Sequence, residues 1–308
     1  MKQVFYIIIS VFFVFLSQSI SAQSDEYDDY TDDSDQAATS FGHWDLGLNF
    51  GLYWPSKFHA GFYDGSPENV NNIDYVLNNQ YWHDEIKTAL NVADDFYLRE
   101  LPTNMRYTTA FQIGMYFRKT FDNYTGFSLQ FDYSKLTASD FFTLEIDPQP
   151  SIGKEPDIRI YPIWGIEDRI NIDLLFSKYF KTNSKMIVPF FEGGLNINSS
   201  FVKEHKIQIE NLTYSLVNVY LNGGYVPGSG QNTYHVQQGG IGWGVSAAAG
   251  VKLVFNESVS IDPGFRIYYQ KVKLEGYEEF KPSFALFVRL SLSDFFGGGE
   301  EDYTDEEY

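Results

Sequence analysis

The 308-residue chain contains no cysteine, which excludes disulfide frameworks, thiolate zinc sites and cysteine nucleophiles. Basic residues are scarce: 22 Lys and Arg stand against 41 Asp and Glu, a formal charge of −19. A nucleic-acid binder needs a basic face to release counterions, so that class is excluded too. Beyond the N-terminal segment no apolar run approaches the roughly 18 residues of a spanning helix. If this chain crosses a membrane, it crosses with strands. Catalytic signatures are also missing. There is no HExxH spacing and no GxSxG elbow, and Gly239-Gly240-Ile241-Gly242 lacks the following helix of a phosphate loop. Four of the five histidines (His59, His83, His205 and His235) fall in long segments between strands, without metal-ligand spacing. The chain therefore reads as non-enzymatic, with no cofactor and no metal; the alternative is a rim-located enzyme or surface metal site built on these loop histidines.

What is plentiful is aromatic and glycine: 28 Phe, 23 Tyr and 25 Gly, a load that wants a physical cause in so acidic a chain. The N-terminus supplies a compartment. Lys2, the apolar run Val4 to Leu16 and the small residues before Gln23 read as a secretory signal peptide over residues 1–22. Residues 25–35 then carry seven acids and no base, and residues 300–308 six acids and no base. Such runs repel themselves and lack apolar content, so acidic, disordered tails are expected at 23–40 and 297–308. About two thirds of the net charge sits in these two ends.

Between them, period-2 alternation dominates. Trp44, Leu46, Leu48, Phe50, Leu52 and Trp54 share one face, with Asp45, Gly47, Asn49, Gly51 and Tyr53 on the other. The cleanest run sets Trp243, Val245, Ala247, Ala249, Val251, Leu253 and Phe255 against Gly242, Gly244, Ser246, Ala248, Gly250 and Lys252. Similar runs occupy 110–118, 126–134, 164–177, 191–198, 259–270 and 283–292. Asp168 is the one acid on an apolar face. These eight segments have the length of strands that cross a bilayer at a tilt. Short polar turns (Asp122-Asn123-Tyr124, Lys181 to Lys185, Asn256-Glu257-Ser258) alternate with long connections at about 55–107, 139–160, 203–237 and 274–282. Trp54, Trp164 and Trp243 stand at the long-loop ends and Trp44 at the opposite mouth, as an aromatic girdle would.

On this pattern, and on no sequence motif, residues 41–296 resemble the small outer-membrane barrels typified by OmpA and OmpX. The Ala22-Gln23 junction and the Tyr, Asn and Phe richness are similar to the Bacteroidota outer-membrane β-barrel family, sometimes called PorT-like. The resemblance implies an all-β, eight-stranded antiparallel transmembrane β-barrel in the outer membrane, with long outer loops and both tails periplasmic. In that family the last strand usually ends the chain on an aromatic residue. Phe296 stands at that place, yet 12 residues follow it, so the C-terminal tail is an addition.

An eight-stranded lumen leaves room for side chains and little else. Six acids are expected inward, Asp45, Asp132, Glu167, Asp173, Glu192 and Asp262, against Arg118, Arg169, Lys252, Arg266 and Arg289. Asp45, Arg118, Lys252 and Asp262 fall near the short-turn mouth, and Asp173, Glu192, Arg266 and Arg289 near mid-depth. Opposed charges at one depth in a low dielectric should pair. Two readings follow: a salt-bridged plug, or a narrow gated pore for small solutes.

The first long connection carries Ser66-Pro67-Glu68, a helix-start signature. With Val70, Ile73, Leu77, Ile86 and Leu90 at helical spacing, it predicts helix over about 67–92. Tyr75, Tyr81 and Trp82 would supply aromatic surface for a protein partner, unless the segment folds down as a lid. The third connection, with Ile207-Gln208-Ile209 and Leu216 to Val219, would extend a hairpin beyond the bilayer. The tails repeat one word, Asp29-Tyr30-Thr31-Asp32 and Asp302-Tyr303-Thr304-Asp305. It is either low-complexity solvation or a docking feature for a basic partner or Ca²⁺. The functional expectation is a structural or protein-interaction module, an accessory subunit of an outer-membrane assembly. Its other partner is the outer-membrane lipid.

Overall fold

The computed structural model describes residues 44–121, 124–146, 156–182, 186–217, 238–256 and 258–293. The leader, both acidic tails (with Asp29, Asp32, Asp302 and Asp305), His235 and Phe296 lie outside these residues. Among the described residues the strands are β1 (Trp44–Trp54), β2 (Phe96–Glu100), β3 (Arg106–Tyr107), β4 (Ala110–Phe121), β5 (Thr125–Ile146) and β6 (Asp157–Tyr179). They continue with β7 (Ile187–Ile209), β8 (Leu212–Ser215), β9 (Gly239–Val254), β10 (Val259–Lys271) and β11 (Phe280–Leu292). Eight of them close a ring in chain order: β1, β4, β5, β6, β7, β9, β10, β11 and back to β1. Every neighbour pair is antiparallel. Closure removes every sheet edge from the spanning zone, as lipid requires of a strand-built wall.

Alternation decides which face meets what. Along β1, Leu48, Phe50 and Leu52 are exposed while Asp45, Asn49 and Tyr53 are buried. On β11, Leu286, Val288 and Leu290 point out, and Phe287 and Arg289 point in. Apolar outside and polar inside is stable in a bilayer and unstable in water, so the chain is a transmembrane β-barrel. Asp168, the flaw in this face, is neutralised where it sits: Tyr133 donates to it at 2.8 Å and Lys203 stands 3.1 Å away.

Three strands depart from expectation in length. β5, β6 and β7 run 22, 23 and 23 residues, where about 9–11 suffice to span. Most of the connection expected at 139–160 is therefore strand, and β5 and β6 pair without a break from Thr125↔Lys178 to Ile146↔Asp157. The reason is an inversion of polarity. Up to Tyr133 the outward positions of β5 are apolar and Ser128, Gln130, Asp132 and Ser134 line the inside. Beyond it Leu136, Ala138, Phe142, Leu144 and Ile146 are the buried ones. On β7 a bulge at Lys203, opposite Ile166/Glu167, resets the phase and turns His205, Ile207 and Ile209 inward. Above the lipid belt the sheet is thus built like a soluble protein, with its apolar side in.

That upper storey needs a filling, and the connection after β1 supplies it. Helices α1 (Lys57–Ala60), α2 (Asp74–Leu77) and α3 (Gln80–Leu90) fold down over the mouth. The expected helix over 67–92 is interrupted by asparagine. Asn69 turns back to the Gly61 carbonyl and Asp64, Asn72 accepts from the Tyr75 amide, and Asn79 caps α3 by accepting from the Tyr81 amide. Asparagine side chains compete with helical hydrogen bonds in this way. The apolar stripe of α3 is Trp82, Ile86 and Leu90, which packs with Ile207, Ile209 and Leu216 of the hairpin around β7 and β8. That hairpin returns as Leu212–Ser215; the second half of the return expected over 216–219 lies outside the described residues.

Candidate functional site

The lumen is the built feature of this molecule, and charge fills it in three tiers. At the short-turn end Arg118 pairs with Asp45 and lies 4.0 Å from Asp262. The Tyr179, Val188, Phe190 and Phe287 side chains pack there as a small apolar cluster. The Arg118 guanidinium stacks 4.9 Å from the centre of the Tyr179 ring. Lys252 is within electrostatic range of Asp45 and Asp262 but closes no ion pair with them among the described residues.

The middle tier is the densest. Arg266 reaches Asp173 at 2.9 Å and Glu192 at 3.3 Å, and Arg289 grips both Glu192 oxygens at 3.0 and 3.1 Å. Gln130 accepts from both arginines at 2.9 Å and donates to Asp132 at 2.5 Å. Asn49 also donates to Asp132, and Asn196 and Ser246 to Asp173. Arg289 continues toward Asp262 at 4.0 Å and so links this tier to the one below. Sequence reasoning supplied the charged members. The amides Gln130 and Asn49 were visible only as polar positions on inward faces.

The upper tier brings the lid into the lumen. Glu167 pairs with Arg169 beside it and accepts from the Tyr63 hydroxyl at 2.7 Å and the Tyr107 hydroxyl at 2.8 Å. Below, Gln270 donates to the Tyr53 hydroxyl at 2.8 Å. Tyr63 comes from a short 3-10 turn after α1 (Gly61–Tyr63) and is completely buried. Its carbonyl meets the His205 ring nitrogen Nε2 at 3.1 Å, and its ring lies edge-on to His205 and Phe62. Gly165 makes room for it: a Cβ there would stand 1.9 Å from the ring. Nothing in the local sequence marks Tyr63 for this place, since a loop tyrosine carries no periodicity.

Of the expected aromatic surface, Tyr81 is 66% exposed and Tyr75 partly so. Trp82 is a correction. It is buried against Tyr214, ring centres 5.4 Å apart, because its spacing with Ile86 and Leu90 puts it on the packed face of α3. Among the described residues no group of three His, Asp or Glu forms that could hold a metal ion.

Two lid-contact histidines are held neutral. Burial pushes His205 down to about 3, and burial with the nearby Arg169 charge pushes His59 down to about 4. A proton therefore binds the exposed, lid-open form near the ordinary value of 6.5 and the closed form only well below it. The closed lid is fully stable above pH 6.5 and loses stability as pH falls toward 4. A cysteine introduced as Ile86→Cys, unique in this chain, reports it. Labelling by an acid-tolerant disulfide reagent should be slow at pH 7 and accelerate at least about tenfold by pH 4.5. A flat rate would show that the histidines do not govern the lid.

No family model and no curated protein matches the sequence. Among solved structures, Neisserial surface protein A is similar at 11% identity and TM-score 0.41, covering 82% of this chain and 96% of that one. OprG from Pseudomonas aeruginosa gives 10% and 0.35, with 82% and 94% covered. Ail, the attachment invasion locus protein of Yersinia pestis, gives 8% and 0.34, with 82% and 99% covered. The fold described above rests on the closed register and the polarity of its two faces.

Proposed function

We propose that this protein is a closed outer-membrane barrel that serves as a rigid anchor, non-conducting and non-enzymatic, for an outward-facing platform that contacts another protein. The observation that carries this reading is the occupation of the lumen at three depths. An apolar cluster with Arg118 and Asp45 fills the base, Arg266, Arg289, Asp173 and Glu192 fill the middle, and Tyr63 over Glu167 and Arg169 fills the top. Breaking buried charge pairs to open a path would cost several kcal/mol per ion. A barrel built this way is suited to hold things in place rather than to pass them.

The platform is the roof made by α2, α3 and the β7–β8 hairpin, with Tyr75 and Tyr81 at its surface; the acidic tails offer a second contact on the other side. A role as an accessory subunit of an outer-membrane assembly follows from this reading. Planar-bilayer recording of the purified barrel should give no steady conductance steps. Mild-detergent purification from native membranes should bring down a stoichiometric protein that Tyr75→Ala/Tyr81→Ala, or removal of 297–308, releases. Regular single-channel steps with an intact lid would overturn the reading.

A further inference from the structure

Above the lipid belt, the wall at β6 is apolar on both faces. Inward, Tyr161 and Ile163 pack in the core of the upper storey. Outward, Ile158, Ile160, Pro162 and Trp164 form a ridge, and Phe141 of β5 stands opposite Pro162. Ile160 and Phe141 are 66% and 60% exposed. From Ile160 to Ile166 no residue carries a charge, and such a run is characteristic of a strand covered on both sides. Ile160 pairs with Thr143, ten positions beyond Tyr133, where the lipid-facing pattern of β5 ends. That is about 30 Å along the strand, and acyl chains do not reach this height. Exposed apolar surface of this extent in water marks a protein contact.

The ridge faces sideways, along the membrane plane. Below it the same face of β6 continues through Ile166 to Ile170 and Ile172 of the belt, interrupted by Asp168, which Tyr133 and Lys203 neutralise. A protein resting on the roof does not meet this surface, whereas a neighbour embedded in the same bilayer does. Charge narrows the choice of neighbour. On the roof Glu68, Asp74, Asp84, Asp94 and Glu100 form no ion pair among the described residues, so two roofs repel. Around the ridge the charges cancel. Lys135 and Lys203 flank Asp168, Lys206 holds Glu204, Arg99 holds Glu145, and Arg159 lies between Asp157 and Glu210. In a chain of net charge −19, this is the side on which two copies approach without like-charge repulsion.

Shape agrees with charge. Beside the ridge, β3 leans against β5 and leaves a hollow of about 670 Å³, whose walls include Arg106, Thr108, Asp140, Phe141, Pro162 and Trp164. Arg106 and Asp140 bring opposite charges to it, and Asp140 also accepts from the Asn104 amide at 2.8 Å. A twofold axis along the membrane normal preserves height and exchanges left with right. With that axis over the seam of β5 and β6, the ridge of each copy faces the hollow of the other. The ridge offers about 400 Å² of apolar surface per copy, about half of what one partner brings to a standard interface. The lipid-facing residues below extend the same contact.

We propose that two copies of this chain pair side by side in the membrane through the outer walls of β5 and β6. Ile160 and Phe141 lie at the centre of the contact, and each ridge seats in the other copy's hollow. The pairing rests on the barrel spanning the bilayer and is independent of any partner at the roof.

The chain has no cysteine, so a single introduced one reports the pairing. Thr88→Cys, on the exposed face of α3, carries a donor dye in one batch and an acceptor in another. Both are reconstituted as full chains in phosphatidylcholine vesicles at falling protein-to-lipid ratio. Energy transfer should persist on dilution, above the level of chance proximity. Ile160→Lys and Phe141→Ser should each weaken the pairing at least about tenfold, as loss of a residue at an interface centre does. Both side chains are exposed in the single copy, so the barrel should stay intact, which compact migration of the unheated protein on a gel reports. Tyr75→Ala/Tyr81→Ala should leave the pairing unchanged. A bismaleimide should join Ile160→Cys to its own copy and not Leu286→Cys, on β11 across the ring.

Transfer that falls to the chance level on dilution would overturn the proposal, as would pairing that both ridge variants leave unchanged. Crosslinking at Leu286→Cys alone would move the contact to another wall and overturn it. In native membranes, Ile160→Cys joined to a different protein and never to its own copy would assign the ridge to that protein. Single copies that carry a native lipid in native mass spectrometry would assign it to lipid; either result overturns the second copy. A chain that fails to insert defeats the spanning reading together with this one. An inserted chain that stays single defeats the pairing alone.

Discussion

Replacing Arg266 by methionine is expected to destabilise the barrel by about 3–5 kcal/mol, the usual result of breaking a buried ion pair from one side. Arg266 is the cation that Asp173, Glu192 and Asp132 share, at 2.9, 3.3 and 3.6 Å. Its removal leaves Arg289 holding Glu192, while Asp173 and Asp132 keep only neutral donors from Asn196, Ser246, Asn49 and Gln130. Neutral donors do not balance two carboxylates in a low dielectric. The double variant Arg266→Met/Asp173→Leu should recover much of the loss, because a well-packed apolar pair is often no worse than the ions it replaces. Exposed pairs set the contrast. Lys273→Gln, which leaves Glu278 at the rim with Lys271 alone, should leave the unfolding midpoint unchanged within error. Urea unfolding from lipid vesicles, followed by tryptophan fluorescence, measures all three. A single variant within 1 kcal/mol of the parent would show that the tier is not a cooperative unit.

The second large effect concerns the lid and leaves the barrel alone. Gly165→Ala puts a methyl group where the Tyr63 ring now lies, and the ring, enclosed by Tyr107, Phe62 and His205, has nowhere to shift. Overpacking together with the lost bond to Glu167 should favour the unseated lid by about 3 kcal/mol. That is a rise of more than about a hundredfold in the open population. Trypsin cleavage at Lys87 or Arg99 reads it directly, while compact gel migration reports an intact ring. Tyr63→Phe keeps the ring and loses only the hydroxyl bond, so its effect should be about 1–2 kcal/mol. In a Tyr63→Ala background Gly165→Ala should add almost nothing, since the clash is gone. Additive effects in that cycle would refute the steric explanation.

What could be read from the sequence was whatever obeys one period. The ring of eight strands and the inward row of charges follow from residues such as Leu48/Asn49/Phe50 and Leu290/Arg289/Val288, where one face is uniformly apolar. The upper storey was not legible because its rule is the opposite one. After Tyr133 the apolar residues of β5 change from odd to even positions without a turn or bulge in that strand, so a single-phase reading ends the strand there and sees a loop. Asn72 and Asn79 hide in a helical pattern whose apolar spacing is sound, and only the local competition for amide hydrogens breaks it. Trp82 turns inward for a neighbouring reason: its i, i+4, i+8 relation to Ile86 and Leu90, and not its aromatic character, sets its direction. Tyr63 and Gly165 depend on a contact between residues 102 positions apart, which no local signal encodes.

The uninterrupted ladder from Thr125↔Lys178 to Ile146↔Asp157 has a mechanical meaning. Domains above a membrane are commonly joined to their anchor by a linker, and a linker lets them swivel. Here the same hydrogen-bonded sheet passes from lipid into water, about 70 Å along each strand, and no joint lies between the two media. Whatever is held at the roof is held at a set height and bearing above the bilayer. A pull on it arrives as torque on the whole ring, resisted at the far end by the Arg118–Asp45 clasp. The structure behaves as a mast stepped into the membrane.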